Sequence, residues 1–288
     1  VVEEIGKETK DFKVGDRVVS NGYHAGFVSV PANLCAKIPD NVSDDEAVFT
    51  VLGAIGLQGV RLSKPTFGEI FFVSGLGVIG LITSQILISN GCRVIGYDPD
   101  EKRCKEASKI GIETYSLGEN ANISKFLNVY TNGNGVDKVI VTAASKSSEP
   151  LIFGAEILRD RGILVIVGST KIDIPRSIFY EKEIDVKFSR SYGPGRYDYN
   201  YEEKGHDYPI GYVRWTENRN MKSFVKLIEN ESINPNDLTT NIFNVLDAKN
   251  AFDMIVSKNQ DFIGILIKYP IENDINKKFR LNNVDNLF

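Results

Sequence analysis

Three cysteines and two histidines are all the thiol and imidazole chemistry that 288 residues offer here. Cys35, Cys92 and Cys104 are odd in number and none sits in a C-x-x-C pair. That argues against a disulfide framework and a Cys-rich zinc lobe, and fits a reducing, cytoplasmic compartment. No dense basic block occurs and the formal net charge is −4, so nucleic acid is not an expected partner. No initiator Met and no signal-peptide pattern precede Val1-Val2-Glu3. Lys13-Val14-Gly15-Asp16-Arg17-Val18 then turns at once into a strand, so the chain reads as a piece whose first portion is missing. The run from Ile70 to Cys92 carries no charge and is long enough to span a bilayer. Three regularly spaced glycines and Thr83-Ser84-Gln85 interrupt it, as in a buried strand followed by a buried helix, and no membrane partner is expected.

The rest is ordinary globular composition, 42% hydrophobic and 25% charged, and long enough to bury a core without disulfides. Residues 13–38 suggest short strands, Arg17–Ser20 and Gly26–Pro31, joined by glycine-rich turns. Ser43 and Glu46 make a capping box, from which a helix runs through Ala47 towards Arg61. Gly53, Gly56 and Gly59 lie in that helix at about 1 kcal/mol each against Ala, so a close neighbour or a ligand must account for them. From Glu69 the pattern alternates. Strands are expected at 70–74, 92–98, 112–116, 137–143, 162–168 and 184–190, and helices at 78–90, 101–110, 122–130 and 148–159. Gly91, Gly111 and Gly162 suit helix C′ positions, and Ser148 with Pro150 a helix start. This is the pattern of an α/β, doubly wound parallel sheet. Residues 191–218 read as a long polar, aromatic loop. A helix at 219–230, a strand at 240–245, a helix at 247–257 and a strand at 262–269 follow, and the tail after Pro270 reads as loose.

Val73-Ser74-Gly75-Leu76-Gly77-Val78-Ile79-Gly80 closes a strand and opens a helix. Gly75 permits the tight turn, Gly77 lets the backbone approach a pyrophosphate, and Gly80 lets helix and strand pack closely. The free amides of Val78 and Ile79 and the positive helix end suit phosphate. The next strand ends in Tyr97-Asp98, at the spacing expected for a ribose-binding acid. A carboxylate there accepts from the ribose hydroxyls and repels a 2′-phosphate, so NAD is the expected cofactor and NADP the less favoured one. Arg103, on the next helix, is placed to reach the ribose or adenine edge. Ala143, Gly168 and Ser169, at the ends of later strands, should line the nicotinamide half.

Together, Lys13–Val18, the glycine-spotted helix, Gly75–Gly80 and Tyr97-Asp98 resemble the medium-chain dehydrogenase/reductase superfamily over nearly the whole chain. Ser189–Asp198, Asp207-Tyr208-Pro209 and Tyr212–Glu217 resemble more closely the medium-chain unit of bi-domain oxidoreductases from bacterial surface-polysaccharide clusters. Tyr269–Asp274 is similar to the start of their linker to a second oxidoreductase domain. The resemblance implies a partial GroES-like catalytic domain over 1–44, a Rossmann domain over 45–236, a return to the catalytic domain over 237–270 and a linker or tail over 271–288. It also implies that a third zinc ligand should fall near Thr50 in zinc-dependent members. Phe49, Thr50 and Val51 are not zinc ligands, so no zinc and no metal residue is expected.

Without zinc, a side chain must handle the proton that accompanies hydride transfer, and Tyr192 and His206 are the candidates. Arg196, Tyr197, Tyr208 and Arg214 offer aromatic faces and charge to a polar substrate, such as a sugar or sugar nucleotide. The expected activity is an NAD-dependent, zinc-independent dehydrogenase acting on a sugar-like alcohol or carbonyl, with a role in polysaccharide biosynthesis. Two alternatives stand beside it: a zinc-free quinone or enone reductase using NADPH, and a non-catalytic NAD-binding module of a larger bi-domain enzyme. Medium-chain relatives are often dimers or tetramers, which leaves a homo-oligomer open.

Overall fold

The computed structural model describes residues 1–115, 122–257 and 261–270. The first elements are two short antiparallel strands, β1 (Val18–Ser20) and β2 (Cys35–Lys37). The expected strand over 26–31 is irregular instead. A strand needs a partner for its backbone groups. Cys35–Lys37 has that place beside β1, while Phe27 and Val28 are left exposed.

The capping box at Ser43 forms as the sequence requires. The Ser43 hydroxyl accepts from the Glu46 amide, and the Glu46 carboxylate accepts from the Ser43 amide. It starts a short helix, α1 (Asp44–Ala47), separate from α2 (Thr50–Ser63), rather than one continuous helix to Arg61. All three helix glycines have packing reasons. A Cβ on Gly53 would lie 2.3 Å from the Phe224 ring, one on Gly56 2.9 Å from the Thr83 hydroxyl, and one on Gly59 2.6 Å from Val167.

The alternating region builds β3 (Ile70–Ser74), α3 (Val78–Ser89), β4 (Arg93–Tyr97), α4 (Glu101–Lys109), β5 (Glu113–Thr114), α5 (Ile123–Tyr130), β6 (Val136–Val141), α6 (Glu149–Ile157), β7 (Leu158–Ile166), α7 (Arg176–Glu181) and β8 (Asp185–Phe188). The six strands form one parallel sheet in the order β5-β4-β3-β6-β7-β8. This is the doubly wound order, with the chain reversing direction across the sheet between β3 and β6. The uncharged 70–92 run is thus a strand and a helix, and no described helix is long and apolar enough to cross a membrane. Phe72, Ile95, Val139, Val141, Leu151, Leu164 and Ile166 fill the core between sheet and helices. Being buried on both faces, these strands read as near-continuous apolar runs.

Gly91 and Gly111 take the left-handed conformation expected of C′ glycines, with φ of 79° and 81°. Gly162 does not follow a helix. α6 ends at Ile157, and Gly162 lies within β7, where the pairing with β6 slips between Val136 and Lys138. A Cβ there would lie 2.6 Å from Leu158, so the glycine serves the strand irregularity. Helix α7 buries none of its residues, so it leaves no apolar stripe by which the sequence announces it.

The 191–218 segment is more ordered than a loop. It contains α8 (Tyr199–Glu202) and runs into α9 (Glu217–Glu229). Residues before 45 pack within the same compact unit as the sheet: Asn218 on α9 donates to the carbonyls of Asn33 and Cys35. A second unit starts at Thr239. Its described part is a βαβ unit, with β9 (Thr239–Asn244) and β10 (Gly264–Lys268) in parallel and α10 (Ala248–Ser257) between them. The expected tail or linker over 271–288 and residue 116 of the third expected strand lie outside the described residues.

Candidate functional site

β3 is flanked by β4 and β6, so its carboxyl end opens where the strand order reverses. Gly75 leaves it with φ 101°, a backbone conformation that a side chain strains, and its amide donates to the Tyr97 carbonyl at 2.8 Å. A Cβ on Gly75 would sit 2.6 Å from the Ala143 amide nitrogen, and one on Gly80 1.9 Å from the Gly75 carbonyl oxygen. Gly80 therefore packs against the turn itself. Thr142 adds a clamp that sequence reasoning missed: its hydroxyl donates to the Gly75 carbonyl at 2.7 Å. A strand-end threonine beside a glycine turn was the available signal. The Leu81 amide is the first in α3 to reach a carbonyl, that of Gly77. The amides of Val78, Ile79 and Gly80 precede it at the positive helix end and are left for an anion. At Gly77 the nearest neighbour is the flexible tip of Arg103, whose Nη1 would lie 3.3 Å from a Cβ there.

Asp98 follows β4 and is 9% exposed. Its Oδ2 accepts from the Leu76 amide at 2.8 Å and its Oδ1 from the Asp100 amide at 3.0 Å. The carboxylate is thus fixed against the glycine turn, with lone pairs left for further donors. Arg103 Nη1 stands 3.8 Å from Asp98 Oδ2. Gly75, Gly77, Val78, Ile79, Gly80, Asp98 and Arg103 therefore gather at one end of the sheet.

Ala143 and Gly168 follow β6 and β7. A Cβ on Gly168 would lie 2.1 Å from the Ala143 carbonyl oxygen, so their small size lets these two strand ends meet each other. Ser169 is exposed, and its carbonyl accepts from the Ser145 amide at 3.0 Å.

The 191–218 candidates are not one cluster. Tyr192 is buried, and its hydroxyl accepts from Asn21 Nδ2 at 2.6 Å. Burial pushes the phenol up to about 12. It stays protonated at neutral pH and is no general base, though it keeps a proton to donate. His206 is exposed on the turn after α8, not enclosed in a cleft. Arg196 pairs with Glu202 at 2.6 Å and lies over the rings of Tyr192 and Tyr197. Tyr197 is itself exposed. Tyr208 donates to Asp198 and stacks on Tyr201, and the Tyr201 hydroxyl donates to Thr216 at 2.8 Å. Arg214 lies against Trp215. Much of the aromatic content thus packs the segment against itself.

Glu217, which sequence reasoning quoted but assigned no role, is fully buried with neither carboxylate oxygen hydrogen-bonded. Burial, and then the charge of Glu202, raise it to about 8, against the pull of Arg196. Arg196 Nε is also buried without a partner.

The third zinc ligand implied near Thr50 has no counterpart. The Thr50 hydroxyl donates to the Ala47 carbonyl at 2.6 Å. Among the described residues no three His, Cys, Asp or Glu side chains gather as a metal ligand set. The cysteines are free and buried, and burial raises Cys35 to about 11.

A family of zinc-binding dehydrogenases matches residues 78–203. The chain is 31% identical over 161 residues to a putative D-xylulose reductase of Agrobacterium fabrum, covering 54% of this chain and 45% of that protein. It is 26% identical over 233 residues to a sorbitol dehydrogenase of Halalkalibacterium halodurans, covering 68% of this chain and 67% of that protein. The chain thus spans less than half of the xylulose reductase that it matches. Among solved structures, the 2R,3R-butanediol dehydrogenase of Bacillus subtilis has the same fold. Its TM-score is 0.73 at 21% identity, over 92% of this chain and 77% of that one.

Proposed function

We propose that the chain is a member of the medium-chain dehydrogenase/reductase superfamily, an NAD-dependent, zinc-independent dehydrogenase acting on a sugar-like alcohol or carbonyl. The observation that carries the cofactor half is Asp98, held against the glycine turn by the Leu76 amide. A fixed carboxylate there favours ribose hydroxyls over a 2′-phosphate. The residues fit the dinucleotide: the unspent amides of Val78 and Ile79 take the pyrophosphate, and Gly77 leaves room for it. When bound, the nicotinamide supplies or accepts the hydride. Ala143, Gly168 and Ser169 stand past the strand ends on that side. The names of the xylulose reductase and sorbitol dehydrogenase relatives support a polyol or sugar substrate, and a role in polysaccharide biosynthesis, in the cytoplasm, goes with that proposal. Zinc independence belongs to the proposal, and what supports it is Thr50, which is not a zinc ligand and whose hydroxyl donates to the Ala47 carbonyl.

The second reading, NADPH, draws on Arg103. Its guanidinium beside Asp98 is a charge that a 2′-phosphate can use. Calorimetric titration with NADH and NADPH separates the two. NADH should bind the tighter, and Asp98→Ala should erase about tenfold of that preference, the scale of one hydrogen-bonded charge. Tighter NADPH binding, or an unchanged preference in the variant, would overturn the ribose assignment. Hydride exchange with sugar nucleotides and polyols tests the dehydrogenase half. NAD binding without any exchange would leave a cofactor-binding module.

A further inference from the structure

Arg61 and Arg214 both lie against the indole of Trp215, their guanidinium carbons 3.3 and 3.7 Å from the ring centroid. Two groups that close on one face would overlap, so they take opposite faces. Among the described residues neither is in an ion pair. The other cations drawn into this unit are all spoken for. Lys138 meets Glu69, Arg159 meets Asp137, Arg196 meets Glu202 and Arg219 meets Asp207. Lys182, without an acid, donates to three carbonyls. Arg61 spends only Nε, on the Asn220 carbonyl oxygen at 2.8 Å. Its Nη groups make no hydrogen bond among the described residues, and they are not sealed from solvent.

Arg61 and Trp215 form part of the wall of a cavity of about 530 Å³, which Leu57, Val60, Ile86 and Leu227 line with apolar surface. The last turns of α2 and α3 end here, and helix ends of this kind carry roughly half a negative charge each. Arg61 is the charged residue in that wall, and its Nη donors stay unspent beside these helix ends. Burial, and then the charge of Arg214, lower Arg61 to about 10.

We propose that this cavity binds a small organic anion: one carboxylate or phosphate monoester on a short apolar body. The anionic head meets the free Nη groups of Arg61, and the body lies on Leu57, Val60, Ile86 and Leu227. The site is separate from the dinucleotide turn, because α3 puts its twelve residues, roughly 18 Å, between them.

Calorimetry on the full chain with octanoate, phenyl phosphate and inorganic phosphate, each with and without saturating NAD, tests this. Octanoate or phenyl phosphate should bind at one site, more tightly than inorganic phosphate, and NAD should not displace it. Arg61→Gln should weaken that binding by about tenfold or more, as expected for loss of a charged hydrogen-bond donor. Because Arg61 also holds Asn220, a second variant fills the space without touching either charge. Leu227→Trp should abolish binding while leaving NAD binding unchanged. Absence of binding by all three probes at millimolar concentration would overturn the proposal. So would displacement by NAD, indifference to both variants, or inorganic phosphate binding as tightly as phenyl phosphate.

Discussion

Glu217 shows what a single residue can hide from its sequence. In Trp215-Thr216-Glu217 it reads as an ordinary acid in the first turn of a helix, where the dipole favours it. In the fold it is sealed beside Tyr192, Tyr201, Arg196 and Glu202 with both oxygens unpaired. The folded chain holds this proton up to about pH 8, while the ordinary carboxyl loses it near 4.5. Between those values the unfolded chain binds fewer protons, so this group makes stability fall as pH rises from about 4.5 to 8, with no further loss above. Glu217→Gln should flatten that slope. Its melting temperature should exceed the parent's most at pH 8, by a margin equivalent to about 1–3 kcal/mol, and least near pH 4.5. Thermal melts across that range check it, and parallel curves for the two proteins would show that Glu217 is ionised and hydrogen-bonded when folded. Asp98 is the opposite case. Its place was legible, since spacing from Gly75 and position at a strand end suffice to put it at the turn. Its grip on the Leu76 amide was not legible, because no pattern encodes a backbone partner 22 positions back.

At the scale of elements, periodicity located the six sheet strands closely because buried parallel strands are apolar throughout. It failed where pairing rather than composition decides. Residues 26–31 carry strand-like side chains but have no partner, and α6 gives way to β7 at Leu158 without a glycine to mark it. The glycines of α2 were read as needing a neighbour or a ligand, and the neighbours are α9 through Phe224, α3 through Thr83, and the end of β7 through Val167. Gly53→Ala measures how firmly that arrangement is set. In a free helix the change gains about 1 kcal/mol. Here the new methyl meets a fully buried ring at 2.3 Å, and overpacking of that kind costs about 1–3 kcal/mol. The variant should lose stability in denaturant melts, with its secondary structure intact at low denaturant. A gain in stability would mean that α2 and α9 separate easily.

For the whole molecule, the parallel order β5-β4-β3-β6-β7-β8 brings distant parts of the chain to one edge. Gly75, Asp98, Ala143 and Gly168 each follow a different strand, and they meet only because the sheet is wound in both directions from β3. The sequence showed each strand end but not how the 191–218 segment packs. There Tyr192, Arg196 and Tyr208 are bound to Asn21, Glu202 and Asp198, pairings that no spacing predicts. A cofactor that touches the ends of several strands at once binds the folded sheet and not the unfolded chain. Its binding energy then adds to stability as RT ln(1 + [L]/Kd), about 2.7 kcal/mol at a ligand concentration one hundred times Kd. For a chain of this size that is a rise of several degrees in melting temperature. NAD should produce it in the parent and fail to do so in Gly80→Ala, whose methyl would collide with the Gly75 carbonyl that shapes the turn. Leu227→Trp, on α9 in the wall of the cavity, should keep the shift. Differential scanning fluorimetry with and without NAD reads all three proteins side by side. An NAD-dependent rise that survives Gly80→Ala would place the dinucleotide somewhere other than this turn.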